Sequence, residues 1–231
     1  FTFDGRRLYG YAGDTLASAL LANGQSLVGR SFKYHRPRGI VTSGVEEPNA
    51  LVSLEKGSKF EPNQRATVVE LYDNLSARSQ NKWPTLAFDL GSINSILAPI
   101  FSAGFYYKTF IYPRVAWKHI FEPIIRYSAG LGKSPRYADP DRYEHFYCHV
   151  DVLVIGGGVS GLMAAKCIGL TGAKTLLLEQ LPYFGGRSTV DSFAINGETS
   201  SKWTKKLLAD MRELKNVTMK SRTTASGIYD H

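Results

Sequence analysis

The stretch Asp151-Val-Leu-Val-Ile-Gly-Gly-Gly-Val-Ser-Gly161 decides the fold of the carboxy-terminal part of the chain. Its first five residues form an almost continuous apolar run, which predicts a parallel-sheet strand buried on both faces. Glycines at 156, 158 and 161 follow with the spacing G-x-G-x-x-G. The first makes a tight turn, the second lets the backbone approach a pyrophosphate, and the third allows close helix-to-strand packing. The pattern predicts a Rossmann-type dinucleotide-binding unit.

The residues after this motif complete a strand, helix and strand. A helix is expected from Ser160 to about Leu170, and a second strand from Lys174 to Leu178. The helix directs the positive end of its dipole at the phosphates. Glu179 follows the second strand, where a carboxylate can bind ribose hydroxyls, although an exposed acid there can also be merely solvated. An acid disfavours a 2'-phosphate and so points to NAD, or to the ADP half of FAD, rather than NADP.

A second glycine-rich loop, Gly185-Gly186-Arg187-Ser188, offers a guanidinium to the pyrophosphate, although Arg187 can equally be an ordinary loop arginine. The alternative for the whole motif is a structural turn that has lost its ligand. No catalytic residue can be identified. The predicted cofactor-binding residues are Gly156, Gly158, Val159, Ser160, Gly161, Glu179, Gln180, Gly186, Arg187 and Ser188.

Residues 1–80 predict a small α+β domain. The Asp4-Gly5 turn indicates a hairpin, and Asp14 or Thr15 can cap a helix that Gly24 ends. Residues 49–54 and 66–71 are predicted strands. The basic stretch from Arg30 to Arg38 interleaves aromatic residues with cations, which suits an interface or a nucleotide contact better than a nucleic-acid platform. His35 has no carboxylate near it in sequence and is expected to be a satisfied loop histidine.

Residues 81–148 form an aromatic-rich connecting segment that is expected to pack against a neighbouring surface rather than fold alone. Residues 90–107 carry no charge, but their proline, glycines and serines argue against a membrane span. A Rossmann-type domain, truncated at its end, is expected over residues 149–231. The opening at Phe1 suggests that the chain is a fragment.

Composition excludes several classes of protein. The 231 residues are 43% hydrophobic, so the chain is neither disordered nor fibrous. A net charge of +8 permits an acidic partner and leaves a nucleic-acid-binding module as a minor alternative. The only two cysteines, Cys148 and Cys167, cannot assemble a disulfide framework, a zinc site or an iron–sulfur site. This usage fits a cytoplasmic protein, and no metal site is predicted.

Five segments together resemble the alpha subunit of bacterial heterotetrameric sarcosine oxidase, with the chain as an amino-terminal fragment of it. These segments are Asp14-Thr-Leu-Ala-Ser-Ala-Leu-Leu-Ala22, Arg30-Ser-Phe-Lys-Tyr-His-Arg-Pro-Arg-Gly39, Glu61-Pro-Asn-Gln64, Tyr106-Tyr-Lys-Thr-Phe110 and Asp141-Arg-Tyr-Glu144, followed by the glycine motif.

The resemblance implies a ferredoxin-like β-grasp domain followed by the first part of a Rossmann-type domain. In metal-binding relatives the first domain carries a C-x4-C-x2-C run, whose places fall near Thr42, Glu47 and Ala50 here. None is a cysteine, so the domain is expected to be a scaffold without a [2Fe-2S] cluster.

The resemblance also implies a cofactor, a reaction and partners. NAD would be bound in the glycine-motif site, with FMN and FAD on the beta subunit or its interface. The complex of alpha, beta, gamma and delta subunits would demethylate sarcosine oxidatively to glycine, form peroxide and transfer the one-carbon unit to tetrahydrofolate through a further domain. The fragment alone is expected to be inactive. The alternative is an FAD-binding subunit of another amine or opine-type dehydrogenase.

Overall fold

The computed structural model describes residues 1–101, 103–110 and 112–229. The chain divides into two compact units, Phe1–Arg142 and a second that begins at Tyr143. The aromatic-rich segment predicted as a connector therefore belongs to the first unit up to residue 142. Within the described residues, no helix has the length and apolar character needed to cross a membrane.

The first unit contains a mixed sheet and one well-capped helix. The five-stranded sheet has the order β2-β1-β7-β5-β6, with β1 and β7 parallel and the other neighbours antiparallel. The described strands of this unit are β1 (Thr2–Phe3), β2 (Arg6–Arg7), β3 (Gly29–Arg30), β4 (Pro37–Arg38), β5 (Leu51–Leu54), β6 (Glu61–Arg65) and β7 (Ser76–Ser79). Its α-helices are α1 (Leu16–Ala22), α2 (Phe105–Lys108), α3 (Arg114–Ala116) and α4 (Glu122–Ser128).

Helix α1 covers the sheet and supplies the centre of the core. Thr15 caps it by accepting a hydrogen bond from the Ser18 N–H, and Gly24 has a positive φ of 72°, as the sequence predicts. Leu16 and Leu20 are fully buried. The predicted hairpin around Asp4 and Gly5 is also present.

The strand predicted over residues 66–71 is wrong. The apolar residues Ala66 and Val69 are buried, but their carbonyl groups accept hydrogen bonds from the Ala17 and Leu16 N–H groups at the start of α1. The segment therefore satisfies a helix terminus instead of extending a ladder. The ladder uses β6 and β7 instead, two strands whose polar sequences carry little apolar signal.

The basic stretch is tied to the aromatic-rich segment by hydrogen bonds to backbone carbonyls. Arg30 donates to the carbonyl groups of Leu86 and Ala87, and the Tyr34 hydroxyl donates to the Phe101 carbonyl. The two segments therefore form one structure. A cluster of aromatic rings lies farther along this segment, formed by Phe101, Phe105, Phe110 and Phe121.

The second unit contains a three-stranded parallel sheet in the order β12 (Val217–Lys220), β9 (Thr175–Leu178) and β8 (Val152–Ile155). The predicted strand, helix and strand are confirmed as β8 (Val152–Ile155), α5 (Val159–Leu170) and β9 (Thr175–Leu178). The sequence did not predict the short β10 (Ala194–Ile195) and β11 (Glu198–Thr199), the helix α6 (Ser200–Arg212) or β12 (Val217–Lys220).

Strand β8 departs from the expectation that both of its faces are buried. Val152 and Val154 are half-buried, but Leu153 and Ile155 are 48% and 58% exposed. Helices α5 and α6 both contribute to the core that includes Leu162, Leu177 and Met211. In the described part of the chain, β8 is one of the two edge strands of this sheet, and its Leu153 and Ile155 side chains lack a covering layer.

Candidate nucleotide-binding site

The first glycine loop has the geometry that its three glycines predict. Gly156 has a φ of 99°, a backbone conformation that L side chains rarely adopt, and it makes the turn after β8. A Cβ atom at Gly161 would overlap the carbonyl oxygen of Gly156, so only glycine lets α5 start this close to the strand. At Gly158 a Cβ would meet no atom within 4 Å, and φ is −71°. Packing therefore does not require a glycine at position 158, and the space beside this residue is open.

The amino terminus of α5 faces this open space with backbone N–H groups that have no partner within the helix. Gly158 caps the helix, and the first hydrogen bond into it runs from the Leu162 N–H to the Gly158 carbonyl at 2.9 Å. The preceding N–H groups, including those of Val159 and Ser160, have no partner inside the helix. Such donors, together with the positive end of the helix dipole, form an anion-binding site.

Glu179 lies directly after β9 and is 6% exposed, so the alternative of a solvated acid is excluded in this structure. Its Oε2 accepts a hydrogen bond from the Gly157 N–H at 2.7 Å, and its Oε1 accepts one from the Leu181 N–H at 2.8 Å. The carboxylate thus joins the glycine loop to the chain that follows β9. Each oxygen retains a further lone pair that can accept from a hydroxyl group.

The second glycine-rich loop packs against the first. The Gly185 N–H donates to the Gly157 carbonyl at 2.7 Å, and Gly158 and Gly185 form an isolated parallel bridge. A Cβ at Gly186 would lie 3.3 Å from the Cα of Gly158. The structure therefore brings Glu179 and Gly186 together with Gly156, Gly158 and Gly161 of the glycine motif.

Three other predicted residues have different surroundings. The Arg187 guanidinium forms a two-point ion pair with Asp191, with Nε–Oδ2 and Nη2–Oδ1 distances of 3.0 and 2.9 Å. Ser188 is buried, and its hydroxyl bonds the Gly185 carbonyl and the Thr204 hydroxyl. It supports the loop and does not present its hydroxyl to solvent. Gln180 is exposed.

The sequence missed the partner of His35 in the first unit. His35 Nδ1 lies 2.6 Å from Asp89 Oδ2, and both side chains are at least nine-tenths buried. Asp89 Oδ1 also accepts from the Trp83 N–H at 2.9 Å. The two residues are separated by 54 positions, so no local pattern could reveal the pair. The expectation of a satisfied loop histidine is correct, and the pair anchors the basic stretch on the following segment.

Two protein-family models match the chain. Residues 1–82 match a 2Fe-2S iron–sulfur cluster binding domain, and residues 151–230 match an FAD dependent oxidoreductase. The second match and the parallel sheet support the predicted Rossmann-like fold. The match to an FAD dependent oxidoreductase points to a flavin as cofactor, and neither family model supports NAD.

The whole chain is similar to named alpha subunits of sarcosine oxidase, which confirms the predicted resemblance. It is 53% identical over 230 residues to the subunit from Rhizobium meliloti (strain 1021), covering 100% of this chain and 23% of the relative. It is 34% identical over 234 residues to the subunit from Corynebacterium sp. (strain P-1), covering 99% of this chain and 19% of the relative. The chain thus spans about a quarter or less of the length of these relatives.

A solved structure supports the fold alone. The crystal structure of L-proline dehydrogenase from P. horikoshii matches 99% of this chain and 34% of its own, with a TM-score of 0.54 and 19% identity. Together, the family model and the sarcosine oxidase relatives support an oxidoreductase subunit, the class predicted from the sequence.

The residues of the first unit do not fit the cluster that the first family model names. No cysteine occurs before Cys148, and an iron–sulfur cluster is held by cysteine thiolates. In the described residues there is also no group of three or more His, Cys, Asp or Glu side chains placed to hold a metal ion. No electron-transfer step can therefore be assigned to this unit.

Proposed function

We propose that the second unit binds the ADP half of a dinucleotide cofactor in an oxidoreductase subunit. The observation that carries this proposal is the convergence of both glycine loops at the amino terminus of α5, with Glu179 at the end of the neighbouring strand. This arrangement places backbone donors beside a carboxylate, which suits a pyrophosphate linked to a ribose.

Each part of the site has a distinct role in this proposal. The open space at Gly158 admits the pyrophosphate to the backbone, and the N–H groups of Val159 and Ser160 donate to its oxygens. The Glu179 carboxylate accepts hydrogen bonds from the ribose hydroxyls while it holds Gly157 in place. Arg187 lies at the edge of the second loop, where its guanidinium forms an ion pair with Asp191. In this proposal the guanidinium leaves Asp191 and binds a phosphate oxygen.

The family match favours FAD as the dinucleotide. A bound flavin supplies a two-electron acceptor for oxidation of a carbon–nitrogen bond. NAD, which the resemblance implied, stays a prediction and uses the same ADP half. In this proposal the named residues contact only the ADP half, and no residue is assigned to the reactive ring.

For the whole protein we propose the alpha subunit of a complex with beta, gamma and delta subunits that oxidatively demethylates sarcosine to glycine. Peroxide formation and one-carbon transfer to tetrahydrofolate, FMN and FAD on the beta subunit, and a cytoplasmic location are parts of this proposal. Similarity to the two sarcosine oxidase subunits supports it. The FAD family match also keeps an FAD-binding subunit of another amine or opine dehydrogenase as the second candidate.

For the first 80 residues we propose a ferredoxin-like β-grasp domain that lacks a cluster. The mixed sheet covered by the single helix α1 and the family match over residues 1–82 support this fold.

The variant Gly158→Ala in the full-length protein tests the binding proposal. Its backbone angles suit alanine and its Cβ meets no neighbour, so the variant should fold with an unfolding midpoint within about 2 °C of wild type. The same Cβ would stand where the pyrophosphate must approach, and the nucleotide content should fall at least about tenfold. Ala164→Ser on the exposed side of α5 is the matched control. A folded Gly158→Ala protein that keeps a full complement of nucleotide would refute the site.

A further inference from the structure

The loop of residues 41–50 in the first unit is organised around one side chain, Glu47. Its Oε2 accepts hydrogen bonds from the N–H groups of Val41 and Thr42 at 2.7 and 2.8 Å, and its Oε1 accepts one from the Asn49 N–H at 2.7 Å. Glu47 is 1% exposed. Three backbone donors from both sides of the loop therefore converge on one buried carboxylate.

This carboxylate is charged. Burial acts to raise the pKa of Glu47, but the hydrogen bonds from the backbone N–H groups of Thr42, Asn49 and Val41 outweigh it, so the pKa lies below its ordinary value. Among the described residues, the recorded hydrogen bonds to its oxygens come from the backbone alone. The loop is thus a concave set of N–H groups that holds an anion without a Lys or Arg side chain.

The loop lies within residues 1–82, which match a 2Fe-2S iron–sulfur cluster binding domain. The resemblance implies that the C-x4-C-x2-C run of cluster-binding relatives falls near Thr42, Glu47 and Ala50, with Glu47 near the middle cysteine. A [2Fe-2S] cluster held by four thiolates is an anion, and its sulfur atoms accept hydrogen bonds from surrounding donors. In a loop without a cluster, the buried N–H groups need another acceptor, because each buried donor left unpaired costs about 1–3 kcal/mol.

Two further contacts hold the loop against its neighbours. The Thr67 hydroxyl donates to the Gly44 carbonyl at 2.6 Å, and Arg65 Nε donates to the Glu47 carbonyl at 3.2 Å. These contacts engage the carbonyl side of the loop. The N–H groups of Val41, Thr42 and Asn49 converge on the Glu47 carboxylate.

We propose that the Glu47 carboxylate fills the anion site of a former cluster loop, so that the domain keeps the loop conformation without iron. The site is an anion-binding set of backbone donors closed by the protein's own side chain. Removal of that side chain should convert it into a binding site for a small free carboxylate such as formate. This inference does not depend on the proposed dinucleotide site, which lies in the other unit.

Hydrogen exchange on the full-length protein tests this inference. Glu47→Ala should increase the amide exchange rates of Val41, Thr42 and Asn49 at least about tenfold, and 50–100 mM sodium formate should restore most of the protection. Sodium chloride at the same ionic strength should not. Glu47→Gln, which keeps the shape but not the charge, should also expose these amides. Glu61→Gln, an exposed glutamate in the same unit, should leave them unchanged.

Two results would overturn the inference. Wild-type exchange rates in Glu47→Ala or Glu47→Gln would show that the Thr67 and Arg65 contacts hold the loop without the carboxylate. Equal effects of formate and chloride would show that the exposed donors do not form a carboxylate site. If Glu47→Ala fails to accumulate, the formate comparison is made on Glu47→Gly, and the absence of rescue there counts against the inference in the same way.

Discussion

Replacing Glu179 by glutamine tests whether one buried carboxylate holds the two glycine loops together. Glutamine has nearly the same shape, but only one oxygen that can accept a hydrogen bond. Its NH2 group must then face either the Gly157 N–H or the Leu181 N–H, which now contact Oε2 and Oε1 at 2.7 and 2.8 Å. One donor is left facing another donor in a site that is 6% exposed.

The expected loss follows from these two bonds. A hydrogen bond to a charged acceptor contributes about 1.5–3 kcal/mol, and at least one of the two is lost in Glu179→Gln. Because about 1.4 kcal/mol corresponds to a factor of ten, the amides of Gly157 and Leu181 should exchange roughly 10 to 150 times faster. The ribose contact would weaken as well, so affinity for ADP should fall about tenfold or more.

The assay is amide hydrogen exchange on the full-length protein with and without ADP, together with calorimetric titration of ADP. Glu213→Gln, an exposed glutamate after α6, is the control and should match wild type in both measurements. Exchange at Gly157 and Leu181 within twofold of wild type in Glu179→Gln would refute the bracing role. Faster exchange with unchanged ADP affinity would refute the ribose contact alone.

Three further predictions follow from the same contacts. Gly161→Ala should destabilise the second unit by about 2 kcal/mol or more and abolish nucleotide binding, because its Cβ overlaps the Gly156 carbonyl, and a wild-type unfolding midpoint would contradict this. The lowered pKa of Glu47 contributes stability above its unfolded pKa of about 4.3 that is lost as pH falls through the folded pKa; acid unfolding should show this, and Glu47→Gln should flatten it. Arg187→Ala should change stability by less than about 1 kcal/mol, since its ion pair is exposed, but lower ADP affinity if the guanidinium binds the pyrophosphate.

The strand, helix and strand around the glycine motif could be predicted because their signals are local. The apolar run of β8 and the spacing of Gly156, Gly158 and Gly161 fix a turn whose backbone geometry few other sequences allow. Thr15 and Gly24 mark the ends of α1 in the same way. These predictions depend on conformations that a few residues determine by themselves.

The errors came from tertiary contacts. Residues 66–71 have the apolar content of a strand, but carbonyl groups in this segment accept hydrogen bonds from the first N–H groups of α1. The sequence Ser76-Ala-Arg-Ser79 gives no strand signal, yet it lies between β1 and β5 in the middle of the sheet. Only the order of strands in space makes such a short polar segment a central strand.

The site shows the same division. The spacing to the glycine motif predicts a ribose-binding role for Glu179, which stays a prediction, whereas its hydrogen bonds to Gly157 and Leu181 depend on contacts that no local pattern encodes. The pair of His35 and Asp89 and the three N–H groups around Glu47 depend on loop conformations that no periodic pattern encodes.

Release of the bound nucleotide shows whether the second unit holds the ADP half of a dinucleotide. The full-length protein would be purified, denatured, and its nucleotide identified by chromatography and absorbance, beside Gly158→Ala. We predict about one ADP-containing dinucleotide per chain in wild type, FAD by the family match, and at least tenfold less in the variant. NAD in place of FAD would keep the site and overturn the flavin assignment. Wild-type protein without any ADP-containing nucleotide, or a folded variant that retains it in full, would show that the second unit does not bind the ADP half at this site.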